Sequence, residues 1–167
     1  MEIKKPLKPK PTKKFKIEET KPADIVDVWT LYKQSLAVVQ NYPDVSEEPD
    51  AYIRSQLFSM ICDPTFLGVI AKVGRKPVGQ LNGFVTHRPY GKPRDYFQFW
   101  MFWIDPEYRG AELSKQMFKT VCKRLKEVGI FNFESIIDPA MIPAMEKVYG
   151  GQLAVVSHRI IGKVKAD

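Results

Sequence analysis

The sequence predicts an α/β fold of the α+β kind, a central sheet of about six strands with helices on both faces, in the order β-α-α-β-β-β-α-β-α-β. Three observations carry this. Residues 96–104 (YFQFWMFWI) form an almost unbroken apolar run, as expected of a strand covered on both faces in the middle of a sheet. Residues 111–128 put Leu113, Met117, Val121, Leu125 and Val128 on one helical stripe, which gives an amphipathic helix a face to bury. Apolar runs of strand length recur on either side, punctuated by turn and helix signals.

Taken in order, residues 14–19 (KFKIEE) alternate Phe15 and Ile17 with charges, the period of a half-buried strand, and Thr20 with Pro22 then opens a helix. That helix carries Ile25, Val28, Trp29, Tyr32 and Leu36 at three-to-four spacing. The loop NYPDVSEEPD ends it, and residues 51–61 make a second, shorter helix that stops before Pro64. Residues 65–73 and 77–86 are apolar runs around Gly74-Arg75-Lys76, a hairpin signal. After the strand at 96–104 and the helix at 111–128, Gly129 supplies a left-handed terminator. Residues 130–137 read as a strand, 139–148 as a helix and 153–164 as a last strand. No internal repeat is visible.

Composition places the chain among folded globular proteins. Its 167 residues suit one domain, and 44% hydrophobic with 12% aromatic residues suffice for a core without disulfides or metal. The charge is unevenly spread. Residues 1–16 hold seven lysines against Glu2, a net +6, which leaves about +1 for the rest of a chain whose total is +7. A basic arm on a near-neutral body is a tether rather than a sequence-reading nucleic-acid surface. Within that arm, residues 1–13 interleave Lys with Pro6, Pro9 and Pro11, which favours extended chain, so the folded domain is expected over 14–167. Cys62 and Cys122 stand in apolar helical surroundings with no CxxC, as small buried hydrophobes of a reducing cytosol do. His87 and His158 are too isolated to form a metal site, so none is expected. No stretch approaches the ~20 apolar residues of a membrane span, and the N-terminus lacks the apolar core of a signal peptide. A cytoplasmic protein with no membrane partner is expected.

The segment Ile104-Asp105-Pro106-Glu107-Tyr108-Arg109-Gly110-Ala111-Glu112-Leu113-Ser114 joins the central strand to the amphipathic helix. It resembles the acyl-CoA motif of the GNAT superfamily: a hydrophobic residue, any residue, Pro, two residues, then Arg/Gln-x-x-Gly-x-Gly/Ala opening a long helix. Ile104, Pro106, Arg109 and Gly110 match in register, and the element order is similar to the GNAT fold over residues 14–164. The resemblance implies a mixed sheet and an acetyl-CoA, or other acyl-CoA, site. It also implies that Phe102, Trp103 and Ile104 pair with the pantetheine arm, while Arg109, Gly110, Ala111, Glu112, Leu113, Ser114 and Lys115 form the pyrophosphate loop. The physics of such a loop is general. A helix N-terminus offers unpaired N–H groups and the positive end of the macrodipole to an anion.

Two motif positions depart from the pattern. Glu112 stands where the family has its first glycine and Ser114 where it has Gly/Ala; a carboxylate in the first turn suits the helix dipole but repels a pyrophosphate. The family's proton-donating tyrosine aligns with Met145, which has no proton to give, and Tyr149 follows about one turn later. The candidates for acid and base are Tyr149, His87 and Glu134, while Gln98 is the polar side chain of the central strand. Trp100, Phe102 and Trp103 read as core residues. Two functions fit these residues. One is N-acetyl transfer from acetyl-CoA to an amine on a small molecule or protein. The other is a structural module of a larger assembly, such as a phage virion, held there or on a polyanion by residues 1–16. Deleting residues 1–13 is expected to leave the melting temperature nearly unchanged and to weaken salt-sensitive retention on heparin. A large loss of stability would show that these residues belong to the core.

Overall fold

A computed structural model describes residues 14–38, 49–88, 94–136, 153–156 and 159–163. Along the chain they form β1 (Lys16–Glu19), a short 3-10 turn (Pro22–Asp24) running into α1 (Ile25–Val38), α2 (Asp50–Ile61), β2 (Phe66–Val73), β3 (Lys76–Arg88) and β4 (Arg94–Ile104). A second 3-10 turn (Pro106–Tyr108), α3 (Ala111–Glu127), β5 (Asn132–Ile136), β6 (Leu153–Val156) and β7 (Arg159–Lys163) follow. The helix expected over 139–148 lies outside the described residues. All the strands join one sheet in the order β1-β2-β3-β4-β5-β7-β6, with the apolar strand β4 at its centre. The sheet has one strand more than expected, because residues 153–164 do not form a single strand. β6 and β7 pair antiparallel, so β7 bonds β5 on one side and β6 on the other.

The sheet is mixed because β4 and β5 run parallel, and α3 is the crossover between them. Side chains alternate across the strands into two cores. On one face α3 buries Leu113, Met117, Phe118, Val121 and Leu125 against Val69, Ala71, Leu81, Phe97, Ile104 and Phe133. On the other, α1 and α2 bury Val28, Trp29, Leu31, Ile53, Leu57 and Ile61 against Ile70 and Trp103. The buried stripe of α1 includes Leu31 rather than Leu36, which is only half-buried.

Local sequence fixes the joints. Gly74, with φ of 61°, lets β2 and β3 turn between the paired residues Val73 and Lys76. Gly129, with φ of 76°, ends α3 in a Schellman arrangement: its N–H bonds the Lys126 carbonyl at 3.0 Å, and the Ile130 N–H bonds that of Leu125 at 2.8 Å. Cys122 is half-buried, and burial pushes its thiol up to about 12. Cys62, expected inside, is exposed, because it is the C-cap residue just past Ile61 where α2 ends at the surface.

The start of α1 is tied to β2 by charge. Lys72 Nζ lies 2.7 Å from Asp27 Oδ2 and 2.9 Å from Asp24 Oδ1, all three side chains being largely withdrawn from solvent. The hydrogen bonds to Asp27 and then Asp24 raise the Lys72 pKa from 10.5 to about 12. Since the folded value lies above the unfolded one, the contribution is fully present below pH 10.5 and is lost as pH rises toward 12. Lys72→Met is expected to destabilise the protein by about 1–2 kcal/mol at pH 7, after allowance for solvent screening. Denaturant melts should show the deficit shrinking between pH 10.5 and 12, and a constant deficit would remove the charge from the explanation.

Candidate active site

Two irregularities in β4 build the site. The first is a bulge. β3 pairs Asn82 with Met101 and then Gly83 with Phe99, so Trp100 is the extra residue. Gly83 makes room for it, since a Cβ there would stand 2.2 Å from the Gln98 carbonyl oxygen. The second is the shortness of the ladder to β5, which pairs only Phe97 with Phe133 and Gln98 with Glu134. Beyond Gln98 the two parallel strands part, and the stretch from Phe99 to Ile104 has no strand on its β5 side among the described residues. Aromatic rings fill the angle of the fork from the α3 face. Phe118 of α3 meets Phe133 edge-on at 5.3 Å and Phe99 at 6.1 Å, and Phe99 meets Phe133 at 5.2 Å.

At the far end of β4 the chain turns into α3. Asp105 accepts from the Glu107 N–H at 3.0 Å and pairs with Lys76 Nζ at 3.1 Å, which pins the turn to β3. Arg109 folds back, its Nε donating to the Ile104 carbonyl at 3.1 Å while its guanidinium lies 4.8 Å over the Trp103 ring. Gly110 is the N-cap of α3, and no side chain caps the helix. Space is open there: a Cβ on Gly110 would meet nothing within 4 Å. Its φ of 172° is extended backbone that any residue adopts, so what the glycine provides is room. The Glu112 carboxylate accepts from Gln116 Nε2 at 2.6 Å, one turn along the helix, and the Ser114 hydroxyl donates to the Gly110 carbonyl at 3.1 Å. The first-turn N–H groups therefore face an uncapped, open end.

The open fork, the bulge and the uncapped helix lie along one strand, at its carboxyl end. A model of the GNAT acetyltransferase family matches residues 27–149. The chain belongs to that family. Its fold is similar to that of an aminoglycoside acetyltransferase from an uncultured soil metagenomic sample, solved with trehalose, at a TM-score of 0.69 and 17% identity over 86% of this chain and 93% of that one. It is also similar to a PaiA N-acetyltransferase from Thermoplasma acidophilum, solved with coenzyme A, at a TM-score of 0.69 and 13% identity over 92% and 99%. A GNAT-family acetyltransferase from Streptococcus pneumoniae gives a TM-score of 0.69 and 12% identity over 91% and 100%. No curated protein matches the sequence significantly.

Within this GNAT domain the motif residues separate by role. Leu113 is buried in the α3 core and Lys115 is exposed on the helix. Phe102, Trp103 and Ile104 pair with β3 and lie on the stretch of β4 that has no strand on its β5 side among the described residues, and the last two are buried. Glu134 is 7% exposed and sits on the last rung before the fork, opposite Gln98. Phe97 and Phe133 on the adjoining rung face α3, so Gln98 and Glu134 face α1 and α2. His87 is elsewhere. It is exposed, 2.8 Å from Asp95, a residue three positions before Gln98 and nine before Ile104 on β4, so the pair lies on the amino-terminal side of the fork. Met145 and Tyr149 lie outside the described residues. Trp100 is the one aromatic residue of the central strand that the sequence misassigned. It is 38% exposed, because the bulge takes it out of alternation. The signal for this was Gly83, a glycine within a strand. Phe118→Ala is expected to cost about 3 kcal/mol in denaturant melts, since it removes the ring that both sides of the fork share. A neutral effect would show that the fork is held by other contacts.

Proposed function

We propose that this GNAT domain is an N-acyltransferase that moves an acetyl group from acetyl-CoA to an amine. The observation that carries the reading is the carboxyl half of β4, which has no strand on its β5 side among the described residues and leads straight into an uncapped helix N-terminus. The open space at Gly110 fits a pyrophosphate against the α3 amides. The engagement of Glu112 with Gln116 supports the same fit, because it draws the carboxylate along the helix from those amides. When bound, acetyl-CoA supplies a thioester whose acyl carbon an amine attacks, with the CoA thiol leaving.

The chain's own residues have three tasks. The β5 side of the β4 backbone at Phe102, Trp103 and Ile104, where no described strand pairs, orients the acyl arm by strand-like hydrogen bonds. The α3 amides hold the phosphates, while Arg109 positions the turn through the Ile104 carbonyl. An incoming amine with a solution pKa near ~10 must lose a proton, and Glu134, at the neck of the fork on the face away from α3, is the base that takes it through water. Tyr149 stays the candidate proton donor to the leaving sulfur on sequence grounds. Much of the rate then comes from holding thioester and amine together. The described residues offer no observation in favour of an interaction module.

Calorimetry tests this directly. The wild-type protein is expected to bind CoA, and Glu112→Gln, which removes a charge from the first turn and keeps its shape, should tighten binding a few-fold. Glu134→Gln should lower kcat by about 100-fold or more at unchanged CoA affinity. Absence of CoA heat from both the wild type and Glu112→Gln, each folded, would overturn the assignment.

A further inference from the structure

The sheet brings the start of β1 to the same edge as the start of α3. β1 runs antiparallel to β2 with Lys16 opposite Lys72, so the residues before Lys16 leave the sheet beside the β2–β3 turn at Gly74. β4 ends at that edge too, since Ile104 pairs with Gly79 and the Asp105 N–H bonds the Val78 carbonyl at 2.9 Å. A side-chain contact joins the two. The Phe15 ring meets Tyr108 edge-on with centroids 6.5 Å apart, and both pack against the α3 core. Tyr108 precedes Gly110, the open N-cap of α3, by two residues. Phe15 therefore delivers the chain that precedes it to the rim of the proposed pyrophosphate loop.

That chain is basic. Residues 1–14 hold the six lysines Lys4, Lys5, Lys8, Lys10, Lys13 and Lys14 against Glu2. Residues 1–13 lie outside the described ones, but their reach follows from chain length. A path of about 20 Å from Phe15 needs only about six extended residues, so Lys8, seven residues before Phe15, reaches an anion at Gly110 with chain to spare. The turn itself is short of positive charge. Arg109 is engaged with the Ile104 carbonyl and the Trp103 ring, and Lys76 with Asp105 and Glu107. Lys115, exposed on α3, adds one cation, while Glu107 and Glu112 beside it oppose an anion. CoA brings about four negative charges on its pyrophosphate and 3′-phosphate at neutral pH, and the described side chains of this turn leave most of that charge uncompensated. We propose that residues 4–14 act as a basic arm that closes on the phosphates of bound CoA, with Phe15 on Tyr108 as its anchor. This rests on the acyl-CoA reading above and adds a second binding element to that site. The arm acts by charge, so its contribution falls as salt rises.

Calorimetry of CoA and of dephospho-CoA binding to the full-length protein, at about 50 mM and about 500 mM salt, is the test. Deleting residues 1–13 is expected to weaken CoA about 10-fold at the lower salt and less than threefold at the higher, with the melting temperature nearly unchanged. Dephospho-CoA, which has one phosphate fewer, should lose less than CoA does. Replacing the six lysines by Gln in the full-length chain should reproduce the loss, which assigns it to charge rather than to chain length. Phe15→Ala, folded by its melt, should weaken CoA about threefold at the lower salt while retention on heparin stays unchanged, since only the anchor is removed. CoA affinity that the deletion leaves within twofold at the lower salt overturns this inference alone, and heparin retention lost in the same variant would assign the arm to a polyanion instead. A loss that persists undiminished at the higher salt also overturns it. No CoA heat from the wild type overturns the acyl-CoA reading and this inference with it.

Discussion

The ladder between β4 and β5 is two residue pairs long, and the site depends on that brevity. A parallel pair of full length would satisfy the backbone of β4 with its own neighbour and leave no polar edge for anything else. Here the ladder stops after Gln98, so the carboxyl half of the most apolar strand, bonded to β3 on one side, has no strand on its β5 side among the described residues. Such an opening would be a defect if nothing held it. The rings of Phe99, Phe118 and Phe133 hold it from the α3 face, since they fix the angle by edge-to-face contact as well as by buried area.

The bulge solves a second problem on the same strand. Strict alternation would send every other residue of β4 into the α3 core, and the face toward α1 would be just as regularly filled. One extra residue shifts the alternation, so that Trp100 and Met101 share the α1 face while Phe102 and Ile104 return to the α3 side. The cost falls on the partner strand, where position 83 cannot carry a Cβ. A polar thread also runs beneath this face: Thr20 Oγ1 lies 3.4 Å from Asn82 Oδ1, Asn82 Nδ2 donates to Gln80 Oε1 at 3.0 Å, and Gln80 reaches the Met101 sulfur at 2.7 Å. The contact of Gln80 with Met101 is the one of these that crosses from β3 to β4, and a slip of one residue would break it.

Much of the fold was legible because its signals are periodic or local. The stripe on α3, the terminator Gly129, the hairpin turn at Gly74 and the apolar centre strand each follow from spacing or from one residue's backbone freedom. Less of the site was legible. The motif gave Arg109 and Gly110 by similarity, yet Arg109 turns back on Ile104 and Trp103, a contact that no spacing announces. Glu112 stands in the first turn of α3, and its carboxylate accepts from Gln116 one helical turn away, a contact the motif does not announce. His87 and Glu134 looked alike as candidates. Strand register separates them, with one at the far end of β3 beside Asp95 and the other at the neck of the fork.

By itself the sequence determined the α/β class, the central strand, the long crossover helix and the small-residue turn where that helix begins, because each depends on residues close together in the chain. Only the tertiary structure decided where β4 and β5 stop pairing, that Trp100 leaves the core, and that Glu134 rather than His87 stands at the opening. Those outcomes depend on register between strands that are distant in sequence. Register is set by packing on both faces of the sheet, and a single extra residue changes which face every later side chain occupies.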